Sequence, residues 1–269
     1  MDTMSLKWAA RAWVGMALSA AAILGEEPSI RVEGAFQYGL IDGYLQTPAG
    51  GKPGTTSPSR PTLDELGFDR VSIYEGSARV KWARHAVYGG AESIRMSGDE
   101  VLVRPLVSQN VMFDAGDRVD AYVQLDWYRL GYLRPFKGWS GHRNDLSLSL
   151  GGDVALFDFH YTLDGTAGSV DRSYAKVAVR LGGELGWTLT PRLSVCARAF
   201  ESLPFSNTPS ILTLGLRGYC RLVESQRLRA DAYVGVGWSR IDYEDNQTVP
   251  NHIHAEMGPL LEAGMRLCF

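Results

Sequence analysis

Period-two alternation of apolar and polar residues runs through this chain in stretches longer than a soluble strand needs. Val177, Val179, Leu181, Leu185 and Trp187 alternate with Lys176, Arg180, Glu184 and Thr188. Ala230, Ala232, Val234, Val236 and Trp238 alternate with Arg229, Asp231, Tyr233 and Ser239, and one apolar parity continues from Ala255 to Phe269. A period of two places the two sets on opposite faces of a strand. Soluble strands average about 5–6 residues, whereas a tilted strand crossing a bilayer needs about 9–11. The pattern predicts an all-β fold, an antiparallel transmembrane up-and-down β-barrel. Its apolar face meets lipid and its polar face lines the lumen.

Ten strands are expected, over 29–41, 69–82, 86–96, 117–133, 144–163, 173–189, 193–202, 210–222, 227–243 and 253–269. Short turns fall at 83–85, 190–192 and 223–226, and longer connections at 42–68, 97–116, 164–172, 203–209 and 244–252. The 134–143 turn is longer than its place in this alternation predicts. Membrane barrels turn tightly on the periplasmic side and loop more widely outside. Two strands are irregular. Glu92 shares a parity with Tyr88 and Ile94. In the fifth strand Leu146, Leu148 and Leu150 take one parity and Phe157, Phe159 and Tyr161 the other, which predicts a bulge at Gly151–Gly152. Eight or twelve strands therefore stay open.

The same parities put Glu33, Glu75, Arg79, Asp120, Asp126, Arg180, Glu184, Arg198, Arg217, Asp231, Glu262 and Arg266 in the lumen, where opposite charges must pair. Trp82, Trp127, Trp187 and Trp238 fall on the apolar face, as interfacial girdles require.

Ahead of the strands, Lys7 and Arg11 precede a charge-free run from Ala12 to Leu24 that ends in small residues before Glu26-Glu27-Pro28. This reads as a signal peptide over 1–25, leaving 26–269 as the barrel with its long loop 42–68. With 27 basic and 30 acidic residues, the net charge of −3 argues against a nucleic-acid partner. Three cysteines make no disulfide scaffold, and Cys196 and Cys220 fall on opposite strand faces.

The chain ends Glu262-Ala263-Gly264-Met265-Arg266-Leu267-Cys268-Phe269. Glu262, Gly264, Leu267 and Phe269 resemble the terminal β-signal of bacterial outer-membrane β-barrel proteins: a polar residue, a glycine two positions on, alternating hydrophobics and a final aromatic. The resemblance implies a Gram-negative outer-membrane location after export, assembly by the β-barrel assembly machinery, and outer-membrane lipid and lipopolysaccharide as surroundings. It implies a monomer, and no cofactor. The expected role is structural, surface-binding or limited, porin-like solute passage.

The alternative is an outer-membrane hydrolase, a protease or a lipid A-modifying enzyme. Parity puts His254 and Glu256 on the lumen face beside His252, where loop 244–252 enters the last strand, and Asp158 and His160 lie near the outer end of the fifth. A histidine with a carboxylate can act as a general base, and two histidines with a glutamate can hold a metal. A hydrated polar rim accounts for the same residues, so no catalytic, cofactor-binding or metal residue is assigned. Gly50-Gly51-Lys52-Pro53-Gly54-Thr55-Thr56 lacks the Gly-Lys-Ser/Thr ending of a phosphate loop. Thr62-Leu63-Asp64-Glu65-Leu66 has the spacing of a capped helical turn.

Overall fold

The computed structural model describes residues 28–46, 60–108, 111–136, 145–205, 207–246 and 250–269. The expected signal peptide 1–25, the run 50–56 and most of the 134–143 turn lie outside the described residues.

The strands are β1 (Ser29–Gln46), β2 (Arg70–Trp82), β3 (His85–Val101), β4 (Leu106–Ser108), β5 (Val111–Phe113), β6 (Arg118–Phe136), β7 (Asp145–Gly165), β8 (Gly168–Thr188), β9 (Leu193–Ser202), β10 (Ser210–Glu224), β11 (Arg229–Glu244) and β12 (His252–Cys268). All but β4 and β5 pair with their neighbours in order, and β12 returns to β1, closing an antiparallel ten-stranded barrel. The seam is tied at its end by backbone bonds between Ile30 and Phe269 of 3.1 and 2.8 Å. Closure removes the unpaired edges that an open sheet would expose. One expected long connection is absent: β7 and β8 turn tightly, with Gly165 paired to Gly168. Another, 97–116, carries the separate β4–β5 hairpin.

β7 and β8 each have 21 residues, about twice what a bilayer crossing needs. The wall accordingly divides into two levels. In the half nearer Ser29 and Phe269, the turn half, Phe36, Leu150, Leu181, Leu216, Val234 and Met265 point outward and are exposed. There Arg180, Arg217, Asp231 and Glu262 point inward and are buried. This is a membrane-barrel wall, apolar outside and ionic inside. In the other half, the loop half, Val123, Leu125, Trp127, Phe157, Phe159, Ile241 and Met257 fill the interior as one apolar core. Outside them lie Gln124, Asp126, Asp158, His160 and Asp242, partly exposed.

Three expectations are corrected by this division. Asp120 and Asp126 face outward, because they belong to the loop half of β6, where the inward side is Val119, Ala121, Val123 and Leu125. Trp127 is buried inside the barrel with Arg180 5.5 Å from its ring, and does not join an external girdle. No bulge interrupts β7: its register with β6 and β8 runs unbroken through Gly151 and Gly152. The residues keep their side of the wall while the medium outside changes from lipid-like to polar.

The register shifts instead in β10, between Arg221 and Val223 near the turn end, and in β12. Gly39 of β1 and Gly237 of β11 both face Leu260, and the next inward pairs, Ile41 and Ser239, face Met257. The extra residue lies at Gly258–Pro259. Gly258 has φ +150°, and a Cβ there would stand 2.7 Å from the Trp238 ring, so glycine is needed.

The loop half is capped by its connections. Leu63, Leu66 and Phe68 from the long loop, and Leu102, Leu106 and Phe113 around the hairpin, are buried against the core. The capped turn appears as expected. Thr62 N–H donates to Glu65 Oε2 at 2.9 Å and Glu65 N–H to Thr62 Oγ1 at 3.1 Å, ahead of a short 3-10 turn, Asp64–Leu66. Partial burial opposes ionisation of Glu65. The Arg104 guanidinium, 2.7 Å away, and the Thr62 donors outweigh it and hold the carboxyl below its ordinary range.

Candidate functional site

The lumen of the turn half is an ion network built from inward positions of facing strands. Glu75 of β2 sits at its centre. It accepts from Arg198 of β9 at 3.0 and 3.1 Å, from Arg217 of β10 at 2.5 Å, and from Gln37 of β1 at 3.2 Å. Arg217 also reaches Glu33 at 3.1 Å and Glu262 at 3.0 Å. Arg129 bridges Glu92 at 2.6 Å and Glu75 at 3.5 Å. Toward the loop half, Arg180 is clamped by both oxygens of Asp153 at 2.8 and 2.7 Å, and Tyr88 donates to Asp153 at 2.7 Å.

Each ion gives up hydration, and the shared, bidentate geometry offsets that cost. The space left among these side chains is about 70 Å³, room for a few waters. Beyond the network, the apolar core and its loop cap fill the rest of the barrel. The parity reading anticipated Glu33, Glu75, Arg180, Arg198, Arg217 and Glu262. It missed Glu92, Arg129 and Asp153, which share inward parities with Ile94, Trp127 and Phe157. The signal was present in Glu92, which broke an apolar parity.

The rim residues come together, but on the outer wall. His252, His254 and Glu256 project outward while Ile253, Ala255 and Met257 pack in the core. The expected lumen placement is corrected by the β12 bulge, which exchanges inward and outward positions beyond Leu260. Asp242 of β11 lies 2.9 Å from His254 Nδ1 and 3.2 Å from His252 Nε2. The Tyr44 hydroxyl is 3.0 Å from His252 Nε2, and its ring stacks on His254 at 5.4 Å. Glu256 Oε1 stands 3.6 Å from His254 Nε2. Asp242 can thus orient both imidazoles, leaving His254 Nε2 toward Glu256. Elsewhere, His160 pairs with Asp171 at 3.1 Å on β8, and Asp158 faces Asp126 across the β6–β7 pair. No three such groups are arranged to hold a metal ion among the described residues.

In β12, Glu262 is inward and buried, whereas Phe269, just past the end of the strand, is exposed at the barrel end. Gly264 is inward beneath a tyrosine: a Cβ there would come within 2.4 Å of the Tyr233 ring. Gly131 and Tyr88 make the same match, also at 2.4 Å. Each glycine gives an aromatic ring a seat on the inner wall. Cys196, Cys220 and Cys268 are free thiols.

No protein-family model and no curated protein matches the chain. Solved structures that align with it are barrels of bacterial outer membranes. The outer-membrane protease OmpT from Escherichia coli aligns at a TM-score of 0.38 and 10% identity, over 89% of this chain and 97% of that one. Ail, the attachment invasion locus protein of Yersinia pestis, aligns at 0.33 and 11%, over 88% and 99%. The translocator domain of autotransporter NalP from Neisseria meningitidis aligns at 0.37 and 13%, over 97% and 96%. At such values no residue role passes from them to this chain.

Proposed function

We propose that this chain is a monomeric barrel of a Gram-negative outer membrane, exported by its signal peptide, whose loop half stands above the bilayer as a structural or surface-binding platform. One observation carries the reading: the interior is closed twice in series, by the Glu75-centred ion network and by the capped apolar core. A conduit needs continuous wetted space, whereas a platform needs rigidity, and a packed core provides rigidity. The surroundings in this reading are outer-membrane lipid and lipopolysaccharide. Glu262, Gly264, Leu267 and Phe269 act as the assembly signal read by the β-barrel assembly machinery. Planar-bilayer recording tests the platform. The folded protein is expected to give no steady unitary conductance, and open-channel currents would replace this reading with solute passage. Heat-modifiable migration in detergent gels tests the membrane barrel, and ordinary migration from a soluble periplasmic fraction would remove it.

A second reading, an outer-membrane hydrolase, draws on the Asp242 contact to both histidines, since a carboxylate that orients an imidazole favours its work as a general base. His254→Ala with Glu256→Ala is expected to abolish any hydrolysis of peptide or lipid A substrates. Activity that survives both changes would dismiss the site.

A further inference from the structure

The lumen is not uniform in charge. At its centre Glu33, Glu75, Glu92 and Glu262 meet Arg129, Arg198 and Arg217, so the signs balance closely. At the turn end the barrel opens into a cavity of about 700 Å³ whose wall includes Arg31, Arg79, Lys81, Arg84, Arg229 and Arg266. Glu184 is the lining carboxylate, and Arg79 holds it with two bonds of 2.6 and 2.5 Å. Two deeper carboxylates reach the other cations, and both are shared. Glu33 serves Arg31, Arg266 and Arg217. Asp231 serves Arg229, Arg221 and Arg266. Lys81 and Arg84 have no carboxylate within ion-pair distance among the described residues, and both are exposed at the mouth. On the facing wall Ser147, Ser149, Thr188 and Ser194 offer hydroxyls.

We propose that this mouth is a binding site for a soluble, multiply charged oxyanion of the phosphate class. The surrounding sheet carries lipid-facing residues, which lowers the effective dielectric around the surplus positive charge and strengthens its attraction for an anion. Fixed guanidinium forks match tetrahedral oxyanions better than point charges do. The cavity volume falls within the range of small-ligand pockets, about 300–1,000 Å³. A multivalent ligand is favoured over chloride because the cations converge on one side of the mouth from four adjacent strands, β2, β1, β12 and β11, and from the β2–β3 turn, within reach of a single polyanion. The inference does not depend on the platform reading, since it concerns the end away from the loops.

Isothermal titration of the full folded chain in detergent with sodium pyrophosphate at low ionic strength tests it. One pyrophosphate per chain is expected, with affinity that falls as salt rises. The double variant Lys81→Ala/Arg84→Ala removes two exposed cations without stranding a buried partner, and is expected to weaken binding by about tenfold or more. Glu184→Gln removes the lining negative charge and is expected to strengthen it. Arg240→Ala, on the outer wall, is expected to change nothing. Heat-modifiable migration reports that each variant is folded. Absence of saturable binding would overturn the proposal, as would unchanged affinity in the folded double variant or an equal loss in Arg240→Ala.

Discussion

Leu150 and Phe157 lie on one strand, a few residues apart, and obey opposite rules. Leu150 is apolar and points outward, whereas Phe157 is apolar and points inward. In the turn half the wall is solvated by hydrocarbon, so the outward position takes leucine and the inward position takes ions. In the loop half the wall meets water, and the same alternation inverts into that of a soluble protein with a dry centre. The two halves share strands and backbone bonds but not the source of their stability. Below, facing ions and lipid contact hold the wall. Above, burial of Phe157, Phe159, Trp127 and their neighbours does. One β-sheet can serve both media because the ladder of backbone bonds is indifferent to which side is greasy.

Removing the central anion puts that contrast under the greatest load. Glu75→Ala leaves Arg198, Arg217 and Arg129 facing one another, and an unpaired buried charge costs about 3–5 kcal/mol. Urea unfolding of the refolded barrel in vesicles is expected to show a loss of that size. In the loop half the equivalent blow is a cavity. Phe157→Ala, at a fully buried site, is expected to cost about 3–5 kcal/mol in the same assay.

A matched pair of lysines separates the outer walls more directly. Val234→Lys places a charge against hydrocarbon and is expected to cost about 2–4 kcal/mol. Asp158→Lys, outward in the loop half, is expected to stay within about 0.5 kcal/mol. Equal costs would mean that both halves meet the same solvent, and the division would fail.

The smallest effect concerns the cap. The folded Glu65 carboxyl titrates below its ordinary range, so its contribution is complete above about pH 4.3 and is lost as pH falls through the folded value. The Thr62 and Glu65 amide resonances are expected to move toward loop positions during acidification and to stay fixed at higher pH.

Strand number, strand positions and the inward ions of the turn half were legible in the sequence because alternation reports a two-sided wall. It does not report which side is dry. In β7 the switch from Leu146, Leu148 and Leu150 to Phe157, Phe159 and Tyr161 looked like an inserted residue. β6 makes a matching switch at the same level, from outward Asp120 and Asp126 to inward Arg129. A bulge would disturb one strand, whereas a change of solvent turns neighbouring strands over together. β12 hides the same event. Its bulge reverses the faces where the solvent also reverses, so Ala255, Met257, Leu261, Ala263 and Met265 read as one unbroken stripe. That coincidence put His254 and Glu256 on the wrong side. The tyrosine seats at Gly131 and Gly264 left no trace beyond the glycines themselves.

The surplus position at Gly258–Pro259 carries a consequence for how such a chain can drift. Loss of a single codon there would bring Met257 two positions from Leu260, let β12 pair in unbroken register with β1 and β11, and leave every side chain on its present face. A codon lost between the bulge and His252 has no spare position to absorb it: the residues beyond would turn over, sending His252 and His254 into the greasy chamber and Ile253 and Ala255 out to water. The strand thus tolerates at one point a change of three nucleotides that would undo its inner face a few codons away.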